Sequence, residues 1–147
     1  MPPSWFDRFI GAPAAGATRT GRQILVIDDQ PEMREMIAIS LRQLGWEVQL
    51  AATGEEALTL MKTAHAAVGL AMVDVVMPGI DGMSLARKLR GSYPRLGIIL
   101  VSGQLNDESR WIVSEDGFQF LPKPFNLTHL RDAVVSVLGE PQPPVKS

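Results

Sequence analysis

The chain has 147 residues, 46% hydrophobic and 20% charged, with a net charge of −2, which is the size and composition of one globular domain able to bury a core unaided. The absence of cysteine excludes a disulfide framework, thiolate metal sites and cysteine nucleophiles. Residues 1–23 carry three Arg against one Asp, whereas residues 24–138 carry ten Lys/Arg against fourteen Asp/Glu. The predicted folded part is therefore acidic and has no basic run suited to a nucleic-acid backbone.

In chain order, residues 1–22 form an expected N-terminal tail and linker, rich in Pro, Gly, Ala and Thr after Ile10. Within it, Ser4 and Asp7 fit a small capping box, and Trp5, Phe6, Phe9 and Ile10 share one helical stripe. A helix this short holds only when docked on this domain, a partner or a membrane surface. From Gln23, near-continuous apolar runs alternate with helical patterns. The runs Ile24–Ile27, Val68–Val73 and Ile98–Val101 read as strands buried on both faces of a parallel sheet.

Pro31 and Gly45 punctuate a first helix with an inward stripe of Met33, Met36, Ile37, Ser40, Leu41 and Leu44. Val48, Leu50 and Ala52 alternate as a second strand, and Thr53 with Glu56 opens a helix running to about Ala64. Asp81 or Gly82 opens the next helix, through Leu89, and a weaker helix is expected over residues 105–116. Phe118–Leu121 is a short strand, and Asn126 caps a last helix that stops at Gly139. This alternation predicts a doubly wound α/β sheet over residues 23–138, with 139–147 as a C-terminal tail too short for a DNA-binding or catalytic domain. No apolar run reaches the roughly 20 residues of a membrane span and the N-terminus lacks a signal peptide's apolar stretch, so a soluble, cytoplasmic protein is expected.

In open α/β sheets, ligands bind beyond the carboxyl ends of the strands. Those ends carry Asp28-Asp29, Asp74, Ser102-Gly103 and Lys123-Pro124-Phe125. Clustered carboxylates repel one another unless a cation joins them, and an all-oxygen donor set suits a hard ion such as Mg²⁺. Asp74 could then serve as a nucleophile toward a phosphoryl group, with Mg²⁺, Lys123 and the Ser102 hydroxyl neutralising charge.

The stretches ILVIDDQPEMRE, MVDVVMPGIDG, IILVSG and FLPKPF, in this order, resemble the receiver domain of two-component response regulators. The resemblance covers about residues 23–138 and implies a five-stranded parallel sheet of order 2-1-3-4-5, an order for which a member of this family is a known example. It further implies that Asp74 is the phosphoacceptor. Asp29, Asp74 and the Val76 carbonyl would ligate Mg²⁺, and Asp28 would hold a metal-bound water. Ser102 stands at the switch hydroxyl, Phe120 at the switch aromatic and Lys123 at the family lysine, with a cis Lys123–Pro124 bond. Phe replaces the frequent Tyr, and Ser the commoner Thr. The stretch over 103–117 matches poorly and is about one residue short. Val76 and Gln104 occupy the positions that border the water approaching the phosphoryl group, where an apolar Val76 favours a long-lived aspartyl phosphate.

The implied function is a stand-alone, non-enzymatic response regulator. It takes its phosphoryl group from a sensor histidine kinase or a histidine phosphotransfer protein and signals to a downstream protein target. The alternatives are a phosphorylation-independent adaptor and a receiver fragment of a hybrid histidine kinase. An aspartate-nucleophile hydrolase would want an Asp where Val76 stands, and an FMN binder would not place Asp28-Asp29 against a phosphate. His65 and His129 lack motif spacing and read as surface or helix-edge residues. Trp46 reads as packing, and Trp111 as either packing or an exposed anchor.

Overall fold

The computed structural model describes residues 21–77, 79, 81–103 and 117–141. Five strands, β1 (Gln23–Ile27), β2 (Val48–Ala51), β3 (Val68–Asp74), β4 (Gly97–Ser102) and β5 (Gln119–Pro122), form one all-parallel sheet of order β2-β1-β3-β4-β5. The described helices are α1 (Pro31–Gln43), α2 (Gly54–Ala64), α3 (Gly82–Ser92) and α4 (Leu127–Leu138). The expected helix over 105–116, with Gln104 and Trp111, lies outside the described residues, as does the Trp5–Ile10 stripe.

Alternate strand residues feed two cores, because successive side chains leave opposite faces of a strand. Leu25, Ile27, Ala71, Val73, Ile98 and Leu100 pack with Ala57 and Met61 of α2 and with Leu85 and Leu89 of α3. Ile24, Val26, Leu70, Met72, Ile99 and Val101 pack with Ile37 and Leu41 of α1 and with Leu130 and Val134 of α4. All seven residues of β3 and all six of β4 are buried, which accounts for their unbroken apolar runs.

The helix ends follow local chemistry. Thr53 accepts the Glu56 N–H at 3.0 Å, and Glu56 reaches back to the Ala52 N–H at 3.3 Å, one residue beyond a standard capping box. Asp81 accepts both the N–H and the hydroxyl of Ser84, each at 2.9 Å. Asn126 accepts the His129 N–H at 2.8 Å, and His129 Nδ1 lies 3.4 Å from the Asn126 N–H, so His129 completes this box where Glu or Gln is usual. His65 caps the end of α2 and stacks on Tyr93.

Three details differ from the expectation. The buried face of α1 is Ile37, Ala38 and Leu41, while Met36 is 48% exposed. Ala38 is fully buried in that face, while Met36 lies outside it beside the equally exposed Ile39. The second strand ends on buried Ala51, and Ala52 already belongs to the turn into α2. Arg22, placed in the expected tail, packs on the domain. Its guanidinium donates to the Leu138 carbonyl at 2.9 Å and the Glu140 carbonyl at 2.5 Å and lies 5.1 Å from the Trp46 ring centroid. Arg22 and Glu140 thus meet on the surface of the unit, one from each side of residues 23–138.

Candidate functional site

The site stands where β1, β3, β4 and β5 end. Asp28 follows β1 directly and is only 2% exposed. Its backbone N–H donates to Ala51 O at 3.2 Å, which continues the sheet's pairing by one residue. Its Oδ1 accepts the Gln30 N–H at 2.9 Å, an Asx turn that bends the chain toward α1. From the first turns of that helix, Arg34 donates to the Asp28 carbonyl at 2.7 Å. The sequence reading gave Arg34 no role; an Arg one turn into the helix that follows a strand-end Asp was the available signal.

Asp74 is the last residue of β3 and is 6% exposed. Its Oδ1 accepts the Val76 N–H at 3.2 Å. The loop beyond it is fixed by the Val75 N–H on Val101 O and the Gly82 N–H on Val75 O, both at 3.0 Å. A Cβ at Gly82 would collide with the Asp74 carbonyl, so only glycine lets α3 start this close to the acidic cluster. Asp81 is not part of that cluster. Its bonds to Ser84 hold its carboxyl below the usual range, as suits a cap.

Ser102 ends β4 and is buried. Its carbonyl accepts the Lys123 N–H at 3.0 Å, which ties the exit of β5 to the exit of β4. Lys123 Nζ then lies 3.9 Å from Asp74 Oδ1, an ion pair just beyond direct hydrogen-bond range. The Lys123–Pro124 bond is cis, as the resemblance implied.

Asp28, Asp29 and Asp74 each place a carboxylate oxygen within 4.8 Å of the others. Burial is the main cause that raises the Asp74 carboxyl above its ordinary range, followed by the negative charge of Asp28, against the Val76 N–H and Lys123. Asp28 is raised as well, again chiefly by burial, with the Gln30 N–H and Lys123 opposing. Three carboxylates facing one ammonium leave negative charge that a divalent cation would neutralise. The donor set, all oxygen with part of the shell open to water, fits Mg²⁺.

Around this centre, the Val76 side chain is 64% exposed. Phe120 is 3% exposed and packs in the α2–α3 core. Phe has no hydroxyl that must stay hydrated or find a partner, so burial carries no polar cost.

A five-stranded parallel sheet with an acidic cluster and a lysine at its carboxyl edge defines the class. Residues 24–135 match the response regulator receiver domain, and the chain belongs to that family of two-component signalling domains. It is 37% identical over 116 residues to the sensor kinase CckA of Brucella abortus, covering 78% of this chain and 12% of that protein. It is 34% identical over 122 residues to the response regulator MprA of Mycobacterium tuberculosis, covering 82% of this chain and 52% of that one. The chain thus spans about half or less of the length of these curated relatives. Among solved structures, the chemotaxis protein CheY4 of Vibrio cholerae aligns with a TM-score of 0.74 at 28% identity, over 80% of this chain and 99% of that one. The receiver domain of the hybrid histidine kinase CckA aligns with a TM-score of 0.67 at 36% identity, over 79% and 98%. Receiver domains are generally non-enzymatic signalling domains that bind Mg²⁺ at an acidic pocket and interact with histidine kinases or phosphotransfer proteins. Among the described residues, no helix is long and apolar enough to cross a membrane.

Proposed function

We propose that Asp74 is the phosphoacceptor of a response regulator unit spanning residues 23–138, flanked by segments 1–22 and 139–147. The observation that carries this reading is the convergence of Asp28, Asp29 and Asp74 within 4.8 Å, with Lys123 Nζ 3.9 Å from Asp74 Oδ1. In the transfer, a carboxylate oxygen of Asp74 attacks the phosphorus of a phosphohistidine. An O–P bond forms, the N–P bond breaks, and the imidazole leaves, taking up a proton. Asp29, Asp74 and the Val76 carbonyl would hold Mg²⁺, with Asp28 on a metal-bound water. The bound ion supplies positive charge to the phosphoryl oxygens. Lys123 offers a second positive charge, and the Ser102 hydroxyl at the end of β4 a hydrogen bond to a phosphoryl oxygen. Signalling onward would run through Ser102 and the strand carrying Phe120 to a protein partner.

The test is Mg²⁺-dependent labelling by acetyl phosphate. Labelling is expected for the unmodified chain and none for Asp74→Asn or, at low Mg²⁺, Asp29→Ala. Equal labelling of Asp74→Asn would overturn the assignment. The likeness to the CckA proteins favours a second reading, a receiver that serves within a hybrid kinase relay. Phosphotransfer profiling against histidine phosphotransfer proteins and against sensor kinases separates the two.

A further inference from the structure

At the opposite pole of the sheet lies a cavity of about 350 Å³, between the C-terminal ends of α2 and α3 and the beginnings of β3 and β4. Its floor is apolar, with Met61 and Leu96 both buried. One wall is aromatic: His65 and Tyr93 stack with ring centroids 5.7 Å apart and planes 19° from parallel. Arg95 stands at its exposed rim. The volume lies at the lower end of the roughly 300–1,000 Å³ of ligand pockets, room for one or two large side chains rather than a folded partner.

Gly21, the first described residue, is itself part of this lining. Its backbone is pressed against Ala67, Val68 and Gly69, and a Cβ on Gly69 would collide with the Gly21 carbonyl oxygen. The chain therefore enters the domain at the cavity's edge and is held there by close backbone contact. Ten residues upstream of that edge, GAPAAGATRT, separate Gly21 from Ile10. Beyond them lies the stripe of Trp5, Phe6, Phe9 and Ile10. Ten residues reach at most about 33–36 Å when extended, so the stripe is within reach of the cavity. The short stripe needs a surface to cover it, and an apolar concavity lies where its own linker leaves the domain.

We propose that the N-terminal segment Trp5–Ile10 docks back into this cavity, an aromatic side chain seated against the His65–Tyr93 wall, as an intramolecular latch on the pole opposite Asp74. The occupant is this chain's own segment rather than a second copy, a separate protein or a membrane.

The chain has no cysteine, so a nitroxide on Arg8→Cys labels one site in the 147-residue chain. The expected result is loss of amide NMR signal from residues 65–69 and from Tyr93, Arg95 and Leu96, while Asp28–Gln30 and Ser102 at the far pole keep theirs. Adding Trp5→Ser should restore the lost signals without altering the rest of the spectrum. Three results would overturn the latch. One is faint broadening spread over the whole surface, or broadening that Trp5→Ser leaves in place. Another is the same broadening with nitroxide and isotope on separate copies, which assigns the cavity to a second molecule. The third is signal loss that appears only after addition of anionic lipid vesicles.

Discussion

Replacing Asp28 by Asn should make the metal-free protein more stable and nearly abolish its stabilisation by Mg²⁺. Asn keeps the shape and the oxygen that accepts the Gln30 N–H at 2.9 Å, so the turn into α1 survives. What disappears is one of three negative charges held within 4.8 Å of one another. Two unit charges at that limit repel by about 3 kcal/mol at an effective dielectric of about 20, and by about 1 kcal/mol in bulk water. Lys123 offsets part of this from the Asp74 side, leaving an expected gain of about 1–2 kcal/mol, or several degrees in Tm for a domain of this size. The sign with pH follows from the raised Asp28 and Asp74 carboxyls. Between the ordinary carboxylate range and their raised values, the folded state binds more protons than the unfolded state. Stability therefore falls as pH rises through that window and is level above it. Asp28→Asn should flatten this slope. In the unmodified chain, Mg²⁺ at ten times its Kd should add about 1.4 kcal/mol, an increment lost as protons reclaim the carboxylates at low pH. Urea denaturation with and without Mg²⁺ across pH 4–8 measures all of these. Unchanged metal-free stability, or an Mg²⁺ increment that survives the substitution, refutes the shared-charge account.

Arg22→Ala should cost about 2–3 kcal/mol, since it removes two hydrogen bonds to carbonyl oxygens and the contact over Trp46; thermal denaturation reads it, and a loss under 0.5 kcal/mol rejects the clasp. Met36→Ser with Ile39→Ser should slow phosphorylation by a cognate kinase by tenfold or more, about 1.4 kcal/mol of lost docking, while labelling by acetyl phosphate is unchanged. The reason is that this exposed apolar pair lies on the helix that begins three residues after Asp28. Val76→Asn should speed loss of the aspartyl phosphate by about tenfold, because the exposed apolar side chain beside Asp74 cannot hydrogen-bond an attacking water whereas an amide can. Phosphate release at constant Mg²⁺ checks it, and an equal or slower rate contradicts it.

The strands were legible because burial on both faces leaves unbroken apolar runs, as at Val68–Val73 and Ile98–Val101, whereas their order follows from the family resemblance. The site was legible for a related reason. Its polar residues interrupt the chain where apolar runs stop, and the sheet geometry brings those stops together. The misplaced Met36 shows where pattern reading runs out. A stripe counted by large hydrophobic residues overlooks Ala38, which is buried between Ile37 and Leu41 where Met36 was expected. Composition places Arg22 in the tail, although its partners, the carbonyls of Leu138 and Glu140, lie more than a hundred residues away and are main-chain groups with no sequence signature. His129 likewise gained its role from the backbone geometry of a helix start.

A parallel sheet gives the molecule two chemically different poles. Every strand delivers its carboxyl end to one side, so Asp28, Asp74, Ser102 and Lys123 gather there from four separate strands. The amino ends gather at the other, where the His65–Tyr93 cavity opens beside the entry of the N-terminal segment. The seven residues of β3 span about 20 Å between the poles at about 3.3 Å per residue. Across that distance two unit charges interact by only about 0.8 kcal/mol at an effective dielectric of about 20, so a charge gained at Asp74 would be felt only weakly at the cavity. Influence between the poles would have to travel mechanically, through strands whose side chains are wholly buried and closely packed. A latch at the amino pole can therefore change which surface a partner meets without altering the electrostatics that govern phosphoryl transfer at the carboxyl pole.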